Sequence, residues 1–297
     1  MRFLFVDRIL HLSPATFVRG IKHVTRDDPY LGHDEQGRLC FIPSLVGEAL
    51  GQLAAWNVMF SNDFTLRPVA GIASCAKPYR PVYVGETILL ESFIDNLDES
   101  VVQYHSVASV GNDVVFTLDG ALGPLLPMED FIDVAVVRRQ FAEINRPVDD
   151  TFNPKESHAS SEMLLSEDVR PAPPMAFDRI LSSEPGVYLC AEKHITRAAP
   201  YFPDHFPNKP VLPMTVLLEC KLHLAREFLA RAGFSKSYQL RELRKIKMKE
   251  FVYPGDVVIS HLSVKQHDDE MLILSYRSEV DGRRVCVLDV VMTAEGN

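Results

Sequence analysis

The sequence predicts an α+β fold built twice in one chain. Three observations predict it. Short strings recur at one constant offset: Asp7-Arg8-Ile9-Leu10 returns as Asp178-Arg179-Ile180-Leu181, Pro29-Tyr30 as Pro200-Tyr201, and Glu48 as Glu219. Val82-Tyr83-Val84-Gly85-Glu86 returns as Val252-Tyr253-Pro254-Gly255-Asp256, with the offset one residue shorter. Each copy carries one long apolar segment of helical character, and strand patterns follow that segment in both copies. A repeat this long is a whole domain rather than a solenoid unit, and a buried helix followed by antiparallel strands is an α+β arrangement.

The elements follow in order. Each copy opens with a short amphipathic segment and a loop. In copy one a helix begins near Pro43 and Ser44 and runs from Leu45 to Trp56; in copy two it begins near Pro213 and runs from Val216 to Ala225. Proline at the first turn and alanine and leucine inside are start and body signals. The first helix is apolar almost all round, which marks a buried helix. Strand patterns follow at 87–91, 101–104 and 114–118, and again at 257–260, 271–276 and 285–291. Gly111-Asn112-Asp113 and Asp281-Gly282 sit where hairpins turn. Residues 128–144 read as a short helix, and 145–174, polar and proline-rich, as a connector. The expected division is an N-terminal domain over 1–127, a linker over 128–174 and a C-terminal domain over 175–297.

Composition bounds the function. At 297 residues the chain has room for two ordinary domains, and its hydrophobic fraction of 46% is that of a soluble globular protein. No apolar run reaches the length of a membrane span. The start meets Asp7 too soon for a signal peptide. The five cysteines are scattered, with no C-x-x-C pair, which points to reduced thiols, a cytoplasmic location and no metal. A net charge of −9 argues against bulk nucleic-acid binding.

The polar positions are where the copies differ. Copy two contains His205-Phe206-Pro207-Asn208-Lys209-Pro210-Val211-Leu212-Pro213, followed by the helix with Glu219. This string resembles the H-F-P-x-x-P-V/I-x-P motif of the bacterial β-hydroxyacyl-acyl-carrier-protein dehydratases. Glu48-Ala49-Leu50-Gly51-Gln52 is similar to that family's E-A-L/M-A-Q helix, with Gly51 in place of alanine. The segments 5–10, 69–72 and 82–86 resemble it too, so the likeness covers both copies and omits only the linker.

The resemblance implies a hot-dog fold, a long helix wrapped by an antiparallel sheet. Two units pair edge to edge, and each site takes a histidine from one unit and a carboxylate from the helix of the other. Here the chain would be a double hot-dog, a pseudo-dimer with two potential sites. One pairs His205 with Glu48, and Gln52 lies one helical turn along to orient the carboxyl. The other pairs Glu219 with the position now held by Asp34, where His33 is one place off register. The motif there has become His33-Asp34-Glu35-Gln36-Gly37-Arg38, and His223 replaces the glutamine. One competent site and one decayed site are expected.

The chemistry the family resemblance implies is loss of water from a 3-hydroxyacyl thioester. An imidazole neutral near pH 7 supplies the base for the α-proton. A carboxyl on an apolar helix supplies a proton to the leaving hydroxyl. The thioester oxygen needs a backbone N–H at a helix start. The family's glycine at that position is Met214 here, so a close backbone approach is lost. Phe206 and Pro213 belong with Gln52 and Met214 in the substrate-binding set.

Other readings stay open beside this one. A lone histidine in a proline-rich loop is ordinarily structural, and a lone glutamate on a buried helix is ordinarily a satisfied carboxylate. A hot-dog thioesterase would need the helix carboxylate but not His205, and a non-catalytic acyl- or carrier-binding module would need neither. Lys245, Lys247 and Lys249 alternate with Ile246 and Met248, as on a strand with one solvated face. Acidic acyl carrier protein is the expected partner, and that basic face is either a docking patch or a plain solvated surface. The expected enzyme needs no metal or redox cofactor, because phosphopantetheine arrives with the substrate. Exposed sheet edges leave room for pseudo-dimers to associate.

Overall fold

The computed structural model describes residues 2–147 and 175–295. In the first copy β1 (Arg8–Ser13) and β2 (Phe17–His23) form a hairpin, followed by a small hairpin of β3 (Leu31–His33) and β4 (Leu39–Phe41). Next come α1 (Pro43–Ser61), β5 (Leu66–Pro68), β6 (Ile72–Pro78), β7 (Thr87–Leu97), β8 (Val101–Val110), β9 (Asp113–Pro127) and α2 (Val134–Ile144). The second copy contains β10 (Arg179–Glu184), β11 (Tyr188–His194), α3 (Met214–Ala232), β12 (Tyr238–Met248), β13 (Val257–His267), β14 (Met271–Val280) and β15 (Arg283–Ala294).

α1 starts at Pro43, which needs no helical N–H there. Leu45, Ala49, Leu50, Leu53 and Val58 are wholly buried, so this helix has no solvent stripe of ordinary width. α3 buries Val216, Leu217, Cys220, Ala225 and Phe228 and ends at Gly233, whose φ of 67° lies in the left-handed region that a glycine occupies without a Cβ penalty. The two helices pack against each other.

One antiparallel sheet surrounds them in the order β1-β2-β7-β8-β9-β6-β12-β15-β14-β13-β11-β10, with β5 paired to β9. The copies meet where β6 pairs with β12. Ala73 lies opposite Ile246 and Ala76 opposite Leu243. Shifted by the offset of the second repeat segment, each pair maps onto the other, which is the signature of a pseudo-two-fold axis. Register shifts at 94/96 and 264/266 mark bulges at equivalent places in the copies, and bulges bend strands. The structure is a double hot-dog.

The recurring Asp-Arg strings are turn devices in both copies. Asp7 accepts from the His23 N–H at 2.6 Å and Asp178 from the His194 N–H at 2.5 Å. Of the expected linker, residues 148–174 lie outside the described residues. The part before them folds onto the first domain: Asp133 caps α2 through the Ala135 and Val136 N–H groups, and Phe141 packs on Trp56, Phe60 and Phe64. Among the described residues no helix is long and apolar enough to cross a membrane.

Candidate active site

A cavity of about 530 Å³ opens between the two copies. α1 contributes Glu48 and Gln52 to its wall, the loop before α3 contributes His205 and Phe206, and the start of α3 contributes Met214 and Thr215. The structure therefore brings the predicted histidine and the predicted carboxylate from opposite copies to one space.

His205 is oriented by its own loop. Its Nδ1 lies 2.9 Å from the Val211 carbonyl oxygen. A carbonyl only accepts, so Nδ1 carries the proton and Nε2 keeps a lone pair. The ring stacks on Phe206 at 4.1 Å and meets the edge of Phe3. The peptide between His205 and Phe206 is cis. Burial lowers the His205 pKa; Glu48 and the Val211 bond pull it back up and Arg67 pushes it further down. The imidazole is neutral at physiological pH.

Glu48 is held on both oxygens. Gln52 Nε2 donates to Oε1 at 3.0 Å, one helical turn away, and Thr215 Oγ1 donates to Oε2 at 2.6 Å from the other copy. Gln52 is itself fixed by the N-terminal segment: its Oε1 accepts from the Phe5 N–H at 2.9 Å, and its Nε2 also donates to the Phe3 carbonyl at 3.1 Å. The same segment reaches the histidine loop, because Asp204 accepts from the Phe3 N–H at 2.7 Å and pairs with Arg2 at 3.0 Å. A single extended stretch thus links the glutamate helix of one copy to the histidine loop of the other.

Met214 is the first residue of α3 and lines the cavity. Its N–H, like those of the next residues, has no carbonyl one turn earlier in the helix, and it sits at the positive end of the helix dipole. Pro213 is placed differently from its expectation. It is the N-cap residue of α3 and is not part of the cavity wall. Phe206 lies in the wall, 5% exposed, between His205, Phe131 and the Arg67 guanidinium.

The second combination is dismantled. His33 is exposed on the β3–β4 hairpin. Asp34 caps that hairpin: burial works to raise its pKa, but bonds from Arg38, Tyr83 and Gln36 outweigh burial and hold it below the ordinary value. Glu219 is 4% exposed, and its Oε2 has no hydrogen-bond partner among the described residues. Burial lowers the pKa of His223, helped by the Arg226 charge. Neither Glu219 nor His223 lines the cavity. Gly47 and Gly51 leave the cavity face of α1 bare, and a Cβ at Gly47 would already meet the Phe116 ring at 3.3 Å. At the equivalent places α3 has the buried leucines Leu218 and Leu222.

Lys245, Lys247 and Lys249 are exposed, Ile246 is buried and Met248 half-buried, as the alternation predicts. Lys249 lies at the cavity wall and Lys245 is 4.0 Å from Asp289. Among the described residues no cluster of three or more His, Cys, Asp or Glu side chains is placed to hold a metal ion.

Sequence reasoning missed Thr215, Arg67 and the N-terminal clamp. Thr215, two residues after a proline at a helix start, carried a weak local signal. Arg67 is a lone cation in an apolar stretch, and the clamp is a long-range contact with no motif.

Comparison with known proteins bears on the fold and the family. Solved structures with the same fold span nearly the whole chain. A MaoC-like dehydratase aligns with a TM-score of 0.58 at 10% identity, covering 95% of this chain and 98% of that one. An acyl-ACP thioesterase from Bacteroides thetaiotaomicron VPI-5482 aligns with a TM-score of 0.53 at 10% identity, covering 93% and 97%. These place the chain in the double hot-dog class. The FabA-like domain family model matches residues 171–289. The 3-hydroxyacyl-acyl-carrier-protein dehydratase FabZ of Caldanaerobacter subterraneus subsp. tengcongensis is 36% identical over 123 residues, 39% of this chain and 84% of that protein. The FabZ of Shewanella woodyi is 32% identical over 125 residues, 40% of this chain and 81% of that protein. The chain belongs to the FabA/FabZ-like dehydratase family.

Proposed function

We propose that the protein dehydrates (3R)-3-hydroxyacyl thioesters borne on acyl carrier protein to trans-2-enoyl thioesters, in fatty-acid or polyketide-type synthesis in the cytoplasm. The observation that carries the reading is the pairing of His205 and Glu48 at one cavity. The imidazole is fixed by Val211 with Nε2 unprotonated, and the carboxyl is held from both sides by Gln52 and Thr215.

Nε2 of His205 takes the proton from the α-carbon. The electron pair moves toward the thioester oxygen, which the Met214 N–H stabilises at the start of α3. The pair then returns, the carbon–oxygen bond at the β-carbon breaks, and the Glu48 proton leaves with the hydroxyl as water. A proton passes from His205 to Glu48 to restore both groups. No metal or redox cofactor takes part. Lys249, which lines the cavity, and the exposed Lys245 and Lys247 on the strand before it would give an acidic carrier a basic face to dock on.

Mass spectrometry of a 3-hydroxyacyl-carrier substrate tests the reading. Wild type should lose water, and His205→Ala and Glu48→Gln should each slow that loss by roughly 100-fold or more. Glu219→Gln should not slow it. Release of free acid by wild type would replace the dehydratase with a thioesterase. No reaction over several chain lengths, with retained binding, would leave an acyl-binding module.

A further inference from the structure

The cavity holds a cation that the dehydration step does not use. Arg67, on β5, lines the cavity and lies 4.1 Å over the Phe206 ring, which also stacks on the His205 ring at 4.1 Å. The guanidinium is thus no farther from the imidazole than those two spacings together. Burial pushes its pKa down to about 10, with the Glu48 charge opposing, so it remains charged at neutral pH.

A guanidinium presents five N–H donors. Among the described residues its only polar contact is a long one from Nη1 to the Met59 sulfur at 3.8 Å, and its Nε has no acceptor. Arg67 is half-buried, and a partly desolvated cation with no hydrogen-bonded anion carries an uncompensated desolvation cost. Much of the cavity wall is apolar, with Val69, Leu122, Leu240 and Ile246 among its residues. A cation in such a wall with no hydrogen-bonded anion opposes a plain alkyl chain and suits a chain that brings its own anion.

We propose that Arg67 binds a carboxylate at the far end of the acyl chain, so that the preferred substrate is a 3-hydroxy dicarboxylic monothioester. The planar fork of the guanidinium matches a carboxylate with two parallel hydrogen bonds. The proposal rests on the dehydratase reading and narrows its substrate class.

The test compares 3-hydroxyhexanoyl- and 3-hydroxyadipyl-pantetheine, which share a carbon count and differ in a terminal methyl or carboxylate. Wild type should favour the adipyl substrate at least tenfold in kcat/KM. Arg67→Met should abolish that ratio, and Arg67→Lys, which keeps the charge without the fork, should retain part of it. A wild-type ratio near or below one, or a ratio unchanged in Arg67→Met, overturns the proposal. The saturated hexanoyl and adipyl thioesters separate this outcome from failure of the dehydratase reading. Their binding can be followed by the fluorescence of Trp56, the one tryptophan of the chain and part of the cavity wall. Arg67-dependent preference for the adipyl ligand without loss of water would uphold the carboxylate site and sink the dehydratase. Equal binding of both ligands would sink the carboxylate site.

Discussion

Thr215 Oγ1 donates to Glu48 Oε2 at 2.6 Å, and that bond crosses from the second copy of the repeat to the first. The proposed acid is therefore aimed by both copies: Gln52 holds one oxygen from its own helix and Thr215 holds the other from the helix start that also presents the Met214 N–H. Thr215→Val keeps the shape and removes the donor. A hydrogen bond between uncharged groups contributes about 0.5–1.5 kcal/mol, so kcat should fall about two- to tenfold while KM changes little. Thr215→Ser should recover most of it. Steady-state kinetics on a 3-hydroxyacyl-pantetheine substrate checks this, and an unchanged kcat in Thr215→Val would remove Thr215 from the site.

The clamp made by the N-terminal segment gives a stability prediction. Asp204 has a side chain only 8% exposed and accepts from the Phe3 N–H, whereas its partner Arg2 is 66% exposed. The buried backbone bond should dominate and the surface ion pair should count for little. Asp204→Ala should lower the melting temperature by a few degrees, from a loss of about 1.5–3 kcal/mol. Arg2→Ala should leave it nearly unchanged. Equal shifts in a thermal melt of the two variants would contradict this ordering.

Much of the fold was readable because it is local and repeated. Proline at Pro43 and Pro213 marked two helix starts, and the structure extends those helices to Ser61 and Ala232. The strand runs fall inside β7, β8, β9, β13, β14 and β15, and the glycine turns sit between the strands they were read to join. The site was half readable. His205 stands in a contiguous string and Glu48 and Gln52 are one turn apart, so the motifs that carry the family resemblance are local and name them. Thr215 and Arg67 reach the site only through the pairing of two distant copies. The bonds from Phe3 and Phe5 to Gln52 use backbone groups, which any residue supplies, so no side-chain pattern records them. Pro213 belongs to the same contiguous string but is the N-cap residue of α3.

The acid limb of the activity profile should report His205. Burial lowers its pKa below the ordinary imidazole value of about 6.5, and the opposing pull of Glu48 does not reverse the direction. A lowered pKa means that the neutral base persists as pH falls. The lower limb of kcat/KM, which reflects the free enzyme, should therefore lie below pH ~6.5. Arg67→Met removes a cation that disfavours imidazolium and should move the limb upward. A wild-type limb at or above the ordinary value would mean that burial does not dominate at this histidine.

Glu219 turns the decay of the second combination into a measurable asymmetry. Its carboxyl is buried on α3, one oxygen lacks a partner among the described residues, and the nearest cation, Arg226, is 3.9 Å away on a largely exposed side chain. A buried polar group so poorly paired costs stability, so an apolar side chain of similar volume in its place should be neutral or stabilising. Glu219→Leu should hold or raise the melting temperature and leave dehydration intact, whereas Glu48→Leu should abolish dehydration. The contrast follows from geometry: Glu48 lines the cavity with His205 and is bonded by Gln52 and Thr215, while Glu219 lies outside the cavity wall and His33 is exposed on a separate hairpin. Loss of activity in Glu219→Leu at unchanged stability would show a second working site and overturn the one-site reading.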